Sequence, residues 1–274
     1  MQQEINKNTS NLSSPTGGQG AVFFLSDFHL GVPDAVASLE REKRIIKFLD
    51  EIKFEAHTIF LVGDMFDFWY EYKKVVPKGY VRLLGKIAEL SDSGIDMHFF
   101  VGNHDMWMNT YFQKELNIPV YFEPKEFVFN DKTFLIGHGD GLGPGDHGYK
   151  TVKKVFRNRV SRWLFGILPP YIGIGIANYF SKKSRGADAH SEEKFLGEEK
   201  EWLIIYSKEM LKKKNYEFFV FGHRHLPIDY RLSPDCRYIN LGDWIHYDTY
   251  AVFDGADLQL KSYSGKENKI IKNW

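Results

Sequence analysis

Five short motifs, each following an apolar run, carry the polar residues of this sequence that are suited to chemistry. Each motif places Asp, Asn or His directly after residues typical of a buried strand, commonly beside a glycine that lets the backbone approach a ligand closely. Because ligand sites of open α/β sheets lie at the carboxyl ends of their strands, we expect the motifs to converge on one site. The motifs are Asp27-Phe28-His29, Gly63-Asp64, Gly102-Asn103-His104-Asp105, Gly137-His138-Gly139-Asp140 and Gly222-His223-Arg224-His225.

The candidate ligands in these motifs are a mixed set of carboxylate, amide and imidazole groups. Such a set suits borderline divalent ions such as Mn²⁺, Fe²⁺ or Zn²⁺ better than Ca²⁺ or a thiolate-bound zinc. Seven ligands suit two ions that share one carboxylate, and such a pair can hold a hydroxide for in-line attack on phosphorus. A lone Asp or His after a strand is more commonly a cap or a surface residue, so the prediction depends on the ordered set. The candidates are Asp27, His29, Asp64, Asn103, His138, His223 and His225.

Composition narrows the class of protein. The 274-residue chain is 43% hydrophobic, which is enough for one large α/β domain, with or without an insertion. Its formal net charge of zero disfavours a general polyanion binder, and its single cysteine, Cys236, excludes an intramolecular disulfide. No segment approaches a transmembrane span, and residues 1–20 lack the apolar core of a secretory signal, so we expect a disordered tail there. Five histidines outside the motifs are assigned no catalytic role: His57, His98, His147, His190 and His246.

The elements that must position the motifs alternate between strand and helix. The first half predicts strands at 22–25 and 58–62, helices over about 38–52 and 80–93, and a strand leading to Asn103. This β-α-β-α-β pattern is typical of a layered α/β fold. The other predicted elements are strands near 120, 126–129, 132–136, up to 221, and near 238–241, 249–253 and 258–263, a hairpin turn at Asn130-Asp131, and a helix over about 192–214.

The stretch 147–189 does not fit the sheet pattern. From His147 to Ala187 it contains no Asp or Glu, and its apolar residues recur at helical spacing on both sides of Pro169-Pro170. We therefore predict two basic amphipathic helices, a pattern typical of a membrane-surface or anionic-ligand element. The alternative is a helix pair packed on the core, or a dimer contact, with a solvated basic face. The nine basic residues are Lys150, Lys153, Lys154, Arg157, Arg159, Arg162, Lys182, Lys183 and Arg185.

The five motifs, in this order, resemble those of the calcineurin-like metallophosphoesterases. The resemblance implies an α/β fold of the α+β type: a four-layer α/β/β/α sandwich of two sheets, with 21–146 and 190–274 as the core and 147–189 as a helical lid. It implies that His104 is catalytic and faces the phosphate, and that Asp105, also catalytic, orients the His104 ring. The implied metal ligands are Asp27, His29 and His225 for one ion, Asn103, His138 and His223 for the second, and Asp64 bridging both.

Further segments look like the UDP-2,3-diacylglucosamine hydrolases of lipid A biosynthesis. They include 25–30, 63–69, 91–94, the run from Asp146 through Ser184, and 241–244. This resemblance implies cleavage of a UDP-linked diacylated glucosamine to UMP and the diacylglucosamine 1-phosphate, with two Mn²⁺ ions, on the cytoplasmic face of the inner membrane. The lid would receive the acyl chains, and its Lys and Arg residues would bind diphosphate or anionic headgroups. The implied substrate contacts are Asn103, His104, Asp146, Ser184, Asp188, Lys194 and His223.

The sequence departs from this narrower family at four positions. Members carry Arg where His104 stands, Thr at Arg224, Asn at Asp188, and Lys at Ser191, which bears on the substrate more than on the phosphoester chemistry. One alternative is therefore a metallophosphoesterase acting on another nucleotide or phosphodiester. Nucleic acid is disfavoured, because the basic residues of the insertion alternate with long aliphatics rather than with stacking aromatics. A third hypothesis is a scaffold protein that has lost its metals. The oligomeric state is left open.

Overall fold

The computed structural model describes residues 20–144, 147–177 and 194–273, so the expected tail lies outside it except for Gly20. The strands are β1 Ala21–Leu25, β2 Ala56–Val62, β3 Asp96–Phe100, β4 Val120–Tyr121, β5 Lys125–Phe129, β6 Lys132–Gly137, β7 Phe218–Phe221, β8 Pro227–Ser233, β9 Cys236–Leu241, β10 Thr249–Phe253, β11 Leu258–Ser262 and β12 Ile271–Lys272. The helices are α1 Ala35–Ile52, α2 Val81–Asp92, α3 Tyr111–Glu115, α4 His147–Arg157, α5 Arg159–Ile167, α6 over 170–177, α7 Trp202–Leu211 and a 3₁₀ turn at Glu267–Lys269.

The strands form two mixed six-stranded sheets. The first has the order β11-β10-β1-β2-β3-β4, and the second β12-β8-β9-β7-β6-β5. Strands β1, β2 and β3 run parallel to one another in the first sheet, as do β6, β7 and β9 in the second. The motifs that follow these strands therefore leave the two sheets from carboxyl ends, as the sequence predicts.

Alternation of side chains along the strands produces four layers. On β1, Val22 and Phe24 pack between the two sheets, whereas Phe23 and Leu25 pack beneath the covering helices. Helices α1 and α2 cover the outer face of the first sheet, and α7 packs with Phe219 and Phe221 on the outer face of the second. The predicted α/β/β/α sandwich is confirmed.

Local signals explain several element boundaries. The Asp34 side chain accepts hydrogen bonds from the amides of Val36 and Ala37, both at 2.9 Å, and so caps the start of α1. The β5–β6 hairpin turns at Asn130 and Asp131, which both have positive φ, as a two-residue turn between right-twisted strands requires. The hairpin expected at these two residues is confirmed.

The secondary structure differs from the predicted one in three places. The segment before Pro169 is two helices, because Asn158 leaves the helical conformation with ψ 136° and its side chain accepts from the Val160 amide to start α5. Helix α7 begins at Trp202, ten residues later than expected, after a turn in which Gly197 has φ +90°. Strands β8 and β12 were not predicted; β12 pairs with β8 at the edge of the second sheet.

Candidate metal centre

Long-range sheet pairing brings the five motifs together between the two sheets. The first sheet contributes the motifs after β1, β2 and β3, and the second contributes those after β6 and β7. The His138 ring crosses the gap, with Nδ1 2.8 Å from the carbonyl oxygen of Val62. That contact directs Nε2 of His138 toward the side chains of the first sheet, as for a histidine oriented to bind a metal.

One group of donors forms around the carboxylate of Asp27. Its Oδ1 lies 3.5 Å from His29 Nε2 and 3.2 Å from His225 Nε2, and the two imidazole nitrogens are 3.1 Å apart. Asp27 and His29 are fully buried, and the His225 side chain is 12% exposed. These three donors, with Asp64, have ligand atoms within 4.8 Å of one another, close enough to surround a single cation.

A second group forms around Asn103. Its Oδ1 lies 2.9 Å from His223 Nδ1 and 3.2 Å from His138 Nε2. Asp64 joins the two groups, because its Oδ2 is 3.2 Å from His138 Nε2 and 3.7 Å from His29 Nε2. The structure therefore brings together all seven candidate ligands, in the two sets that the family resemblance implies.

His104 lies beside the first group, with its ring centroid 4.7 Å from that of His29, but it has a different orienting partner from the one expected. Its Nδ1 is 3.0 Å from the carbonyl oxygen of Asp67 and 3.6 Å from the Asp67 carboxylate. The Asp105 carboxylate instead accepts from the amides of Gly102, at 2.7 Å, and Met65, at 3.0 Å. Asp105 thus holds two loops of the site together. Asp67, rather than Asp105 as expected, is the residue that orients the His104 ring.

Five of the seven candidate ligands hold a left-handed backbone. Their φ angles lie between 43° and 66°, a region that non-glycine residues rarely adopt and that clusters at functional sites. Neighbouring glycines make room for them: a Cβ on Gly222 would lie 2.6 Å from Asp27 Oδ2, and one on Gly102 would meet Asp64 Oδ1. The backbone is thus bent to aim side chains inward. The five residues are Asp27, His29, Asp64, His223 and His225.

The buried carboxylates of the site shift the pKa values of the imidazoles beside them. Burial alone would lower the pKa of His29, but the neighbouring carboxylates of Asp27 and Asp67 raise it to about 10. Burial likewise opposes charge on His138, and Asp64 raises the pKa of His138 to about 10. Both imidazoles are therefore protonated at neutral pH, and their protons supply the positive charge that the buried carboxylates require.

Burial favours the neutral form of three further groups. Burial and the neighbouring charge of His138 lower the pKa of His223 to about 4, which leaves a neutral imidazole suited to ligation. Burial, with the nearby charge of Asp64, raises the pKa of Asp105 to about 7. Burial also lowers the pKa of His104.

The donor set fits divalent cations. Asp27 Oδ1 and Asp64 Oδ2 are buried, yet neither accepts a hydrogen bond from the described part of the chain. A buried carboxylate oxygen without a donor is costly, and a cation at that position would satisfy it. Both oxygens face imidazole nitrogens from the opposite sheet, so the same cations would also bind those nitrogens.

Three carboxylates that were assigned no role from the sequence orient or face the candidate ligands. Asp67 lies 3.7 Å from His29 Nδ1, and Asp243 Oδ2 lies 3.7 Å from His225 Nδ1. Asp140 is buried near His138 and His223. All three belong to quoted motifs, and for Asp67 and Asp140 the available signal was a carboxylate three or two residues beyond a candidate ligand; Asp243 had no such signal.

Several expected substrate contacts cannot be located. Asp146, Ser184 and Asp188 lie outside the described residues, as does Ser191. Lys194 is described and exposed, and its carbonyl oxygen accepts from Arg224 Nη2 at 2.6 Å.

The helical insertion presents an apolar surface to solvent. On α5 the residues Val160, Trp163, Leu164 and Ile167 share one face and are 54% to 65% exposed. The basic residues were expected to face a membrane, an anionic ligand or solvent. Four of the six described ones instead contact the core. Those four are Lys150, Lys153, Arg157 and Arg162, whereas Lys154 and Arg159 are exposed.

Comparison with known proteins identifies the class. The calcineurin-like phosphoesterase family matches residues 21–227, and the chain belongs to this family of metal-dependent hydrolases. A UDP-2,3-diacylglucosamine hydrolase of Porphyromonas gingivalis is 39% identical over 260 residues, covering 90% of this chain and 98% of that protein. The protein of the same name from Aeromonas hydrophila is 25% identical over 253 residues, covering 89% and 99%. Yfce, a phosphoesterase from E. coli, superposes with a TM-score of 0.45 at 15% identity, covering 89% and 94%. The family expected from the motifs is confirmed, and so is a divalent metal site.

Proposed function

We propose that this protein hydrolyses the diphosphate of UDP-2,3-diacylglucosamine, releasing UMP and 2,3-diacylglucosamine 1-phosphate. The observation that carries the proposal is the 39% identity with the Porphyromonas gingivalis hydrolase over 90% of the chain. The site supports it, because buried carboxylate, amide and imidazole donors suit phosphoryl chemistry rather than acyl transfer.

Two Mn²⁺ ions are proposed for the seven donors. Asp27, His29 and His225 would hold one ion and Asn103, His138 and His223 the second, with Asp64 shared between them. When bound, the ions would supply Lewis-acid charge and an activated water for attack on the phosphorus nearest uridine. The chain holds the donors in place through strained backbone and through carboxylates that orient the imidazoles.

His104 is proposed as the catalytic residue that contacts the phosphate. Its Nδ1 is turned to Asp67, and its ring stands edge-on against His29 with centroids 4.7 Å apart. This orientation leaves Nε2 for the substrate, and in the protonated ring Nε2–H would donate to the phosphate and stabilise its negative charge. Asn103 and His223 would contact the same phosphate, and the contacts implied for Asp146, Ser184, Asp188 and Lys194 stay proposals.

The insertion is proposed as a lid that receives the acyl chains and contacts the membrane. Its exposed apolar residues extend from α4 through α5 to α6, where Tyr171 is 79% exposed. Large apolar side chains exposed on successive helices are typical of an interaction site. In the described residues no helix is long and apolar enough to cross a bilayer. We propose peripheral binding at the cytoplasmic face of the inner membrane through the exposed apolar residues of these helices.

The first test measures UMP release from UDP-2,3-diacylglucosamine in detergent micelles with Mn²⁺. The wild type and the control Asp92→Ala, an exposed carboxylate at the end of α2, are expected to release UMP, and Asp64→Ala is not. Thermal melts of all three proteins without metal establish that the variants fold. Cleavage of bis-p-nitrophenyl phosphate without UMP release would exclude UDP-2,3-diacylglucosamine as the substrate and favour another phosphodiester.

A further inference from the structure

The start of the insertion is tied to the loop that carries His138. Lys153 on α4 donates from Nζ to the carbonyl oxygen of Asp140 at 2.8 Å, and its Nζ lies 2.5 Å from Asp140 Oδ2. The two side chains are 15% and 5% exposed, so this ion pair is largely shielded from water. A shielded pair is screened less than one on the surface.

The segment that follows the insertion is tied to the other histidine loop. Arg224 stands between His223 and His225 in the chain, and its Nε donates to Glu201 Oε2 at 3.0 Å. Its Nη2 donates to the carbonyl oxygen of Lys194 at 2.6 Å. Glu201 is buried and also accepts from the Leu196 amide, so Arg224 holds the chain that leads into α7.

The contact between Lys153 and Asp140 also affects the electrostatic environment of the candidate metal ligands. The Asp140 carboxylate interacts electrostatically with His138 and His223 as well as with Lys153. Moving Lys153 away would leave the buried Asp140 carboxylate without the ammonium group that lies 2.5 Å from its Oδ2. The position of α4 and the electrostatics of the second donor group are therefore linked by one side chain.

We propose that Lys153 and Arg224 are positioning residues that couple the helical insertion to the metal centre, so that metal binding and docking of α4 stabilise each other. The proposal rests on the proposed function only in taking His138, His223 and His225 as metal ligands. Coupling between two binding events is reciprocal, so docking of α4 must strengthen metal binding by the same factor by which bound metal strengthens docking.

The experiment compares Lys153→Met with Lys154→Met, which removes an exposed lysine from the next position of the same helix. Calorimetric titration with Mn²⁺ is expected to show affinity weakened about tenfold in Lys153→Met, as for other residues that orient metal ligands, and unchanged in Lys154→Met. Lys153→Arg, which keeps the positive charge, is expected to restore most of the affinity. Hydrogen exchange of 147–157 is expected to slow on Mn²⁺ binding in the wild type but not in Lys153→Met.

Arg224→Gln tests the contact of Arg224 with Glu201 and Lys194 independently. In that variant Mn²⁺ is expected not to slow hydrogen exchange over 194–201. Wild-type affinity in both Lys153→Met and Arg224→Gln would overturn the coupling, as would a wild type whose exchange over 147–157 ignores Mn²⁺. Both results leave the proposed hydrolysis intact. A wild type that binds no Mn²⁺ would overturn the coupling and the assignment of Mn²⁺, while the UMP assay reports on the hydrolysis separately.

Discussion

At the scale of single residues, the metal centre depends on backbone strain that the surrounding packing must offset. Each left-handed non-glycine residue costs about 1–3 kcal/mol, and Asp27, His29, Asp64, His223 and His225 all adopt that conformation. The strain turns the chain sharply after each strand. Side chains that would otherwise alternate across a sheet are thereby aimed into one cavity.

A glycine beside the strained residues should be irreplaceable. Gly222→Ala would place Cβ 2.6 Å from Asp27 Oδ2 and 2.8 Å from Ser26 Oγ, so the Asp27 carboxylate must move. We expect Mn²⁺ affinity to fall by about tenfold or more, measured by calorimetry. Gly85→Ala in α2 meets nothing within 4 Å and should leave the affinity unchanged. Equal affinities in the two variants would refute the role of Gly222.

Removing the His104 imidazole should separate catalysis from metal binding. His104→Gln is expected to lower turnover by about 10²–10⁴-fold, the usual range for a positioned acid–base group, because the ring contacts the phosphate. Metal content, measured by elemental analysis, should stay at the wild-type level, since His104 is not among the ligands. Parallel loss of metal would contradict the assignment.

Metal affinity should rise with pH. The pKa values of His29 and His138 are about 10 in the metal-free site, so both rings must lose a proton before they ligate. The metal thus competes with protons at pH 7, and the competition weakens as pH increases toward 10. Mn²⁺ calorimetry between pH 6.5 and 8.5, in two buffers of different ionisation enthalpy, should show net proton release. Binding without proton release would be inconsistent with these pKa values.

At the scale of elements, α5 is unusual because its apolar stripe faces solvent rather than the core. The inner side of the helix is already occupied, since Phe165 packs against Tyr70 with ring centroids 4.8 Å apart and Tyr70 Oη donates to the Arg162 carbonyl. The outer stripe therefore has no role in packing the described core. Its composition suits a lipid, which lacks the defined shape of a protein partner.

Polar substitution of this stripe should weaken lipid contacts alone. Burying a large apolar side chain is worth about 1.5–3 kcal/mol, so Trp163→Ser with Leu164→Ser should weaken sedimentation with anionic phospholipid vesicles by more than about tenfold. Cleavage of bis-p-nitrophenyl phosphate, which has no acyl chain, should be unaffected. Phe54→Ser, a substitution of an 85% exposed residue after α1, serves as the control. Vesicle binding equal to that of the control would exclude this face.

At the scale of the whole molecule, the metal centre joins the two sheets. The first sheet supplies Asp27, His29, Asp64 and Asn103, and the second supplies His138, His223 and His225. Ions bound to both sets would act only on the folded protein, because the unfolded chain cannot assemble donors so far apart in sequence.

Mn²⁺ should therefore raise the melting temperature. At a free concentration 100 times Kd the stabilisation is about 2.7 kcal/mol, which for a chain of this size corresponds to roughly 5–10 °C. Differential scanning calorimetry with Mn²⁺ and with EDTA measures the shift. Asp64→Ala should lose most of it and Asp92→Ala should keep it. A full shift in Asp64→Ala would exclude Asp64 as a shared ligand.

The sequence by itself determined the order of strands and helices and the seven candidate donors, because both depend on local order, whereas the two-sheet sandwich followed from the family resemblance. Apolar strands with alternating side chains predict layers, and a polar residue at a strand's carboxyl end has little choice of direction. Only the tertiary structure decided the partners of those donors. Asp67 rather than Asp105 faces His104, and Lys153 turns to Asp140 instead of to solvent. Such pairings join segments whose separation and angle are set by packing of distant elements, which residue types and spacing do not specify.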